Sequence, residues 1–560
     1  MISRRDFAQL SAATAALLPG NWTRALAQQR LTQAELLRFK PVGNVTIVHV
    51  ADIHGMLVPI HYREPSINVG VGDFRSSLPH LSGQALLDYF KIEANSAIAH
   101  ALTAENFVAL ARSYGRFGGL DRIATILKAI RAERGDRVLF LDGGDTWQNS
   151  YTSLQTKGQD MVDCMALLKP DAMTGHWEFT LGEERVKQLV EKLRFPFLAQ
   201  NVRDTDWNEP VFKASTMIEC GGVKIGIIGQ AMPYVPVANP RWMIPSWSFG
   251  IREADLQKEV NGVRAAGAQL VVLLSHNGFD LDRKLASRVK DIDVILTAHT
   301  HDALPAPVMV GRTMLIASGS HGKFVSRLDL DVRDGTVNDF RYKLIPVFAD
   351  AIDPDAEMAA SIKKVRMPHE KFLGEVVGRT ETLLYRRGTF NGTFDDVICD
   401  AVLTERDAQI ALSPGFRWGE ALLPNQNITR EHIYNATAIT YPATYRVTMT
   451  GARLKDILED VADNLFNPDP YYQQGGDMVR MGGLSYTIEI GNPSGRRISN
   501  LSLVPGGAPL DASREYVVAG WASVNEGTEG PPIWDVVTDY VRRKGVVAPK
   551  EDGRVKVVGG

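Results

Sequence analysis

Val138-Leu139-Phe140-Leu141-Asp142-Gly143-Gly144-Asp145-Thr146-Trp147 couples a short apolar run to a carboxylate in a glycine turn. Residues 138–141 read as a buried strand. Gly143 and Gly144 let the backbone turn sharply, so that Asp145 projects from the strand's C-terminal end. Ligands of α/β sheets bind at that end. An Asp in such a place is by itself more often a turn or capping residue, so its meaning depends on how the other strands finish.

Several finish the same way. Val45-Thr46-Ile47-Val48-His49-Val50 runs into Ala51-Asp52-Ile53-His54-Gly55, and Ala172-Met173-Thr174 into Gly175-His176. Residues 270–275 lead to His276-Asn277, and residues 294–297 to Ala298-His299-Thr300-His301. With further strands expected at 197–201, 224–229 and 313–317, and helices at 118–131 and 160–168, the alternation is that of an α/β fold. Residues 59–113, with Pro59, Pro65, Gly70, Gly72 and Pro79, read as an insertion that shapes entry to a site. Near Val347 the alternation stops. Residues 348–374 read as a linking helix, and 375–560 as a second, α+β domain.

Composition narrows the class. A chain of 560 residues is too long for one core, so two large domains are expected. Hydrophobic residues at 44% and charged residues at 23% describe an ordinary soluble protein. Lys and Arg number 62 against 65 Asp and Glu, a net charge of -3 with no basic block, which argues against nucleic acid as a partner. Ser3-Arg4-Arg5-Asp6-Phe7, the apolar residues 8–18 and Ala25-Leu26-Ala27 form the pattern of a twin-arginine export signal over residues 1–27. No other apolar run reaches membrane-spanning length, so a periplasmic location without a membrane anchor is expected. Twin-arginine passengers travel folded, which suits a metal loaded in the cytoplasm. Cys164, Cys220 and Cys399 are widely spaced and read as packing residues, although an oxidising compartment permits one disulfide.

Asp52, His54, Asp145, His176, His276, His299 and His301 therefore stand together at the exits of parallel strands. Asp-x-His and His-x-His put alternate side chains on one side of a turn, as a chelate requires. Carboxylates and imidazoles converging this way can hold two divalent ions, one carboxylate serving both. Any one of them has an ordinary explanation as a cap or a satisfied histidine. Seven at strand ends, in a chain with 12 His, do not. His49, His61, His80, His100, His321, His369 and His432 lie outside the pattern and read as structural, His321 in Gly319-Ser320-His321-Gly322 being the nearest to an exception.

The ordered set Asp52-x-His54, Gly144-Asp145, Gly175-His176, His276-Asn277 and His299-Thr300-His301 resembles the calcineurin-like metallophosphoesterases. With Gly118-Gly119 and a second domain after a helix, it resembles the two-domain 5'-nucleotidase group over nearly the whole chain. The resemblance implies an N-terminal four-layer metallophosphoesterase-type sandwich over 43–347 and a C-terminal α+β 5'-nucleotidase-type domain over 375–560. It also implies one metal on Asp52, His54, Asp145 and His301, and a second on Asp145, His176, His276 and His299.

One motif departs from that group. Where the pattern is Gly-Asn-His-Glu-x-Asp, this chain has Gly175-His176-Trp177-Glu178-Phe179-Thr180, so that His176 replaces a ligand Asn, and Trp177 and Thr180 replace a catalytic pair. With Gly143-Gly144-Asp145-Thr146-Trp147-Gln148-Asn149-Ser150 and the export signal, the departure is similar to the thiosulfohydrolases of periplasmic sulfur oxidation. That resemblance implies two manganese ions, and removal of the terminal sulfone from an S-thiosulfonated cysteine as sulfate. The implied substrate is the C-terminal cysteine arm of a SoxYZ-type sulfur carrier. Under it Asp145 acts through a bridging hydroxide and Trp177 walls the pocket. Arg417, in Ser413-Pro414-Gly415-Phe416-Arg417, forks onto the sulfonate oxygens; a surface or interdomain salt bridge is the competing reading of this Arg. Tyr472, Gly475, Gly476 and Asp477 would line the substrate path, in a loop that otherwise only packs and turns. A periplasmic 5'-nucleotidase or related phosphoesterase is the alternative.

Overall fold

The Val45–Val50 strand, buried along its whole length, is the middle strand of five. In the computed structural model, which describes residues 31–550 and 553–559, this sheet runs Thr336–Pro346, Phe324–Arg333, Val45–Val50, Val138–Asp142, Ala172–Met173. The last three strands are parallel, with Val50 level with Asp142 and Asp142 level with Met173, so their exits open side by side. The expected export signal at residues 1–27 lies outside the described residues.

A second sheet of six strands runs Val308–Val310, Thr313–Ala317, Val294–Thr297, Leu270–Ser275, Val223–Gln230, Ser215–Cys220. Alternate residues along its strands go to opposite faces, as a period of two demands. Leu270, Val272, Leu274, Val294 and Leu296 join the core shared with the first sheet. Val271, Leu273 and Ile295 pack instead under the helices Glu253–Ala265 and Phe279–Arg288. Helix Leu120–Arg134 covers the first sheet in the same manner, through Ile123, Ile126, Leu127 and Ile130. The result is a helix, sheet, sheet, helix sandwich, the fold expected. Both sheets send their parallel exits to one edge.

Three local expectations are corrected. Residues 197–201 are not a strand: they make isolated bridges, Met173 to Phe197 and Leu198 to Lys213, and Gln200 donates to Gly229 O, so the segment joins the two sheets. The two longest strands, Phe324–Arg333 and Thr336–Pro346, form a hairpin that the apolar pattern hides. Buried Arg327 and Asp329 interrupt that pattern while satisfying each other at 3.1 Å. The polar lead-in holds a short helix, Gln33–Leu37, closed by a Thr32/Glu35 capping box.

Helices Ala356–Arg366 and Glu370–Leu373 lead to the second half. There a four-stranded sheet, Thr444–Thr450, Glu515–Trp521, Ile410–Ser413, Arg480–Gly482, is flanked by helices Thr393–Glu405 and Gly451–Phe466, with two three-stranded sheets beside it. Trp177 of the first half is buried in this half's core, against Trp418 and Tyr441. Among the described residues no helix is long and apolar enough to cross a membrane.

Candidate metal centre

The strand exits meet because their turns are laced together by the main chain. Gly143 N donates to Val50 O, Asp52 N to Gly144 O, and His54 N to Asp145 O, all at 2.7–2.8 Å. Gly144 is the tight point: with φ at +87°, a Cβ there would lie 2.7 Å from Thr174 O. Five of the seven expected ligands take left-handed backbone, with φ of 52° at Asp52, 52° at His54, 57° at Asp145, 74° at His299 and 59° at His301. Each such residue costs about 1–2 kcal/mol, and strain of this kind persists where surrounding contacts over-determine it.

Here the contacts are specific. The buried Glu178 carboxylate accepts from the main-chain N–H groups of Thr146 (2.7 Å), His176 (2.8 Å), Trp147 (3.2 Å) and Asp145 (3.3 Å), clamping two ligand turns together. Asp142 accepts from Thr146 Oγ1 and Gly144 N, and burial pushes its carboxyl up to about 7. Trp177 N donates to Asp145 Oδ1 at 2.7 Å, which leaves Oδ2 facing the cluster.

That oxygen is the centre of the arrangement. Asp145 Oδ2 lies 3.0 Å from His276 Nε2, 3.1 Å from His176 Nδ1 and 4.0 Å from His54 Nε2. His54 Nε2 and His301 Nε2 face each other at 3.0 Å, and His301 Nε2 is 3.3 Å from Asp52 Oδ1. Two groups of four follow, Asp52, His54, Asp145, His301 and Asp145, His176, His276, His299, each with ligand atoms within 4.8 Å of one another and every residue buried. All seven expected ligands are thus brought together, and Asp145 belongs to both groups.

The donor chemistry fits two divalent cations. Nitrogen lone pairs and carboxylate oxygens point at shared centres, an arrangement that is repulsive unless a cation or proton lies between them. Outer contacts aim the rings: His276 Nδ1–H donates to Gly143 O at 2.6 Å, so its Nε2 faces Asp145. Without an ion the carboxylates hold a proton in its place. Burial alone would lower His276, but Asp145 and Asp52 hold its imidazolium up to about 10. Burial also opposes ionisation of Asp145, yet His176 and His276 keep it well below the usual carboxylate range.

A cavity of about 380 Å³ opens onto the cluster. Trp177, Phe416 and Trp418 wall it from both halves of the chain, Trp177 meeting Trp418 edge-on at 4.8 Å and Phe416 stacking on Trp418 at 4.1 Å. Thr180 stays out of this lining and donates to Trp177 O. Arg417 does line the cavity. Its Nε pairs with Asp477 at 3.2 Å, its Nη1 donates to His299 O and its Nη2 to Gly476 O, leaving further N–H groups on both Nη atoms. Gly475, Gly476 and Asp477 are also in the lining. Tyr472 is not: it is 66% exposed on the turn Pro470–Tyr472. Its neighbour Tyr471 is tied down instead, accepting from Tyr234 Oη and donating to Glu253, and this turns Tyr472 to the outside.

Sequence reasoning passed over several residues of this site. Glu178 was visible inside the quoted motif, but a backbone clamp leaves no sign in spacing. Trp418 follows Arg417 directly and lies 5.6 Å from the His54 ring. His321, read as structural, is 5.2 Å from the His54 ring and stacks on Tyr62 at 4.2 Å, with Nδ1 on Ser320 Oγ.

Similarity to known proteins follows the same outline. Residues 376–538 match the family model of the 5'-nucleotidase C-terminal domain. Mouse 5'-nucleotidase is 24% identical over 505 residues, covering 78% of this chain and 85% of that protein. Among solved structures, the Thermus thermophilus sulfate thiohydrolase SoxB, in complex with glycerol, aligns with a TM-score of 0.90 at 36% identity, covering 93% of this chain and 98% of that one. A 5'-nucleotidase precursor from Thermus thermophilus shares the fold, with a TM-score of 0.73 at 20% identity and coverage of 92% and 99%.

Proposed function

The chain belongs to the SoxB family, within the 5'-nucleotidase-type metallophosphoesterase hydrolases, and from that premise we propose that it hydrolyses the terminal sulfone from an S-thiosulfonated cysteine. The cysteine sits on the flexible arm of a SoxYZ-type sulfur carrier, and the reaction takes place in the periplasm after twin-arginine export. Two divalent ions, manganese by resemblance, would supply a nucleophile from water at neutral pH and polarise the oxygens of the anion.

The observation that carries the reading is the wall facing Asp145. Trp177 and Thr180 occupy the positions of a catalytic His and Asp, and neither offers a proton-transfer group: the indole packs on Trp418 and Phe416, and the hydroxyl is spent on Trp177 O. A phosphate ester expels an alkoxide and benefits from an acid or charge beside it. In a thiosulfonate, oxygen from water bonds to the sulfone sulfur as the sulfur–sulfur bond breaks. The electron pair stays on the sulfane sulfur, a stable anion, and two protons pass to solvent with sulfate. Such a leaving group needs no acid.

The chain's own residues have distinct parts in this. Asp145 Oδ2 serves both ligand groups while Trp177 N fixes Oδ1. Trp177, Phe416 and Trp418 keep water from the departing sulfur. Arg417, oriented by Asp477, presents its remaining N–H groups to the anion. The test restores the missing pair. Trp177→His with Thr180→Asp is expected to raise phosphate release from AMP relative to sulfate release from a thiosulfonated peptide, compared with the parent chain. An unchanged ratio would show that these two positions do not set the chemistry.

A further inference from the structure

The His299-Thr300-His301 turn carries a ligand of each group, yet it is gripped from the other half of the chain. His299 Nε2 lies 2.9 Å from Gln474 O, Arg417 Nη1 donates to His299 O at 3.3 Å, and Arg387 Nη2 donates to Thr300 O at 3.3 Å. A carbonyl only accepts, so the first contact places the proton on Nε2 and leaves Nδ1 as the lone pair for the cluster. His276 has its corresponding outer acceptor, Gly143 O, in its own half. Among the described residues no other ligand imidazole makes a hydrogen bond to a residue beyond 375. The Gln474–Asp477 stretch is anchored in the second half, by Gln474 N to Asn464 O, Asp477 N to Gly415 O, and Asp477 to both Arg417 and Arg480, while Tyr471 just before it is tied to Tyr234 and Glu253 of the first half.

The close approach depends on one residue. At Gly475 a Cβ would stand 2.2 Å from His299 Nε2, whereas at Gly476, with a similar positive φ (+87° against +77°), the nearest atom to a Cβ is 3.9 Å away. Gly475 lines the cavity as well, and its position makes it a spacer that lets a main-chain carbonyl reach His299.

We infer that the Gln474–Gly475 loop is a positioning element for the site formed by Asp145, His176, His276 and His299, so that the loop's contact with His299 sets the affinity of that site and not of its neighbour. The inference rests on the two-metal reading. Outer-sphere partners of ligating histidines typically tune metal affinity by roughly 10- to 100-fold, and the same coupling makes metal at that site favour the loop's contact with His299.

Manganese binding to the full chain, freed of metal and followed by equilibrium dialysis with metal counting, separates the possibilities. Gly475→Ala is expected to weaken one of two sites by roughly 10- to 100-fold and leave the other as in the parent. Gly476→Ala, which carries the same backbone strain without the clash, is expected to bind both ions as the parent does. Should Gly475→Ala fail to fold, nitrogen NMR of the histidine-labelled, zinc-loaded parent decides: His299 is expected as the Nε2–H tautomer ligating through Nδ1, and ligation through Nε2 would overturn the inference. Two ions bound normally by Gly475→Ala would overturn it too, as would equal weakening by both variants. A parent chain that binds fewer than two ions would instead overturn the two-metal reading beneath it.

Discussion

Asp145 is the residue on which both ligand groups depend. Its Oδ2 faces the imidazoles of His276 and His176, and its Oδ1 is taken by Trp177 N. Asp145→Asn is therefore expected to lose both ions together, read by metal counting on folded protein; two ions retained per chain would remove the shared role. His276 supplies a pH dependence whose sign is fixed. Its folded-state value of about 10, held up by Asp145 and Asp52 against burial, lies above the ordinary 6.5, so the metal-free chain keeps this imidazole protonated across neutral pH. That contribution to metal-free stability is complete below about 6.5 and lost as pH rises through about 10. A divalent ion must displace the proton, so affinity should rise about tenfold per pH unit between 6.5 and 9, with at least one proton released per chain in calorimetry across buffers of different ionisation enthalpy. A pH-independent affinity would contradict this.

At the scale of elements, the turns after the parallel strands were the legible part of the site. Glycine beside a carboxylate, and His-x-His after an apolar run, are local signals, and they located all seven expected ligands. The clamp that holds the turns was not legible, because Glu178 acts on main-chain N–H groups whose identity no side chain records. Nor was the Phe324–Arg333 and Thr336–Pro346 hairpin, whose buried Arg327 and Asp329 look like surface residues until paired. The clamp makes a prediction: Glu178→Gln keeps the volume but loses charge-assisted acceptance from four N–H groups, and should cost about 2–4 kcal/mol in denaturant unfolding while lowering metal content. Gly144→Ala should act on the same turn by strain, since φ is +87° and a Cβ would meet Thr174 O at 2.7 Å, and should cost about 1–3 kcal/mol. Full stability with full metal content in either variant would place the rigidity elsewhere.

At the scale of the whole molecule, the cavity belongs to neither half alone. Its ligands come from the sandwich, while Phe416, Arg417, Trp418 and the Gly475–Asp477 turn come from the second half. Arg417, which the family resemblance of its Gly-containing turn implies as an anion-binding residue, lines the cavity while paired with Asp477. Tyr472 misled because an aromatic in a glycine loop looks the same whether it faces a cavity or solvent, and only the tether on Tyr471 decides. Ions that bind the folded chain alone should also stabilise it, by about 2.7 kcal/mol for one site at a hundredfold excess over Kd, and chelation should reverse the rise in Tm. The reaction itself is tested most directly by giving the manganese-loaded full chain an S-thiosulfonated cysteine peptide and, separately, AMP, and measuring sulfate and phosphate. The account predicts sulfate release that disappears in a metal-free control, with little phosphate from AMP; phosphate release from AMP with no sulfate above the metal-free control would contradict it.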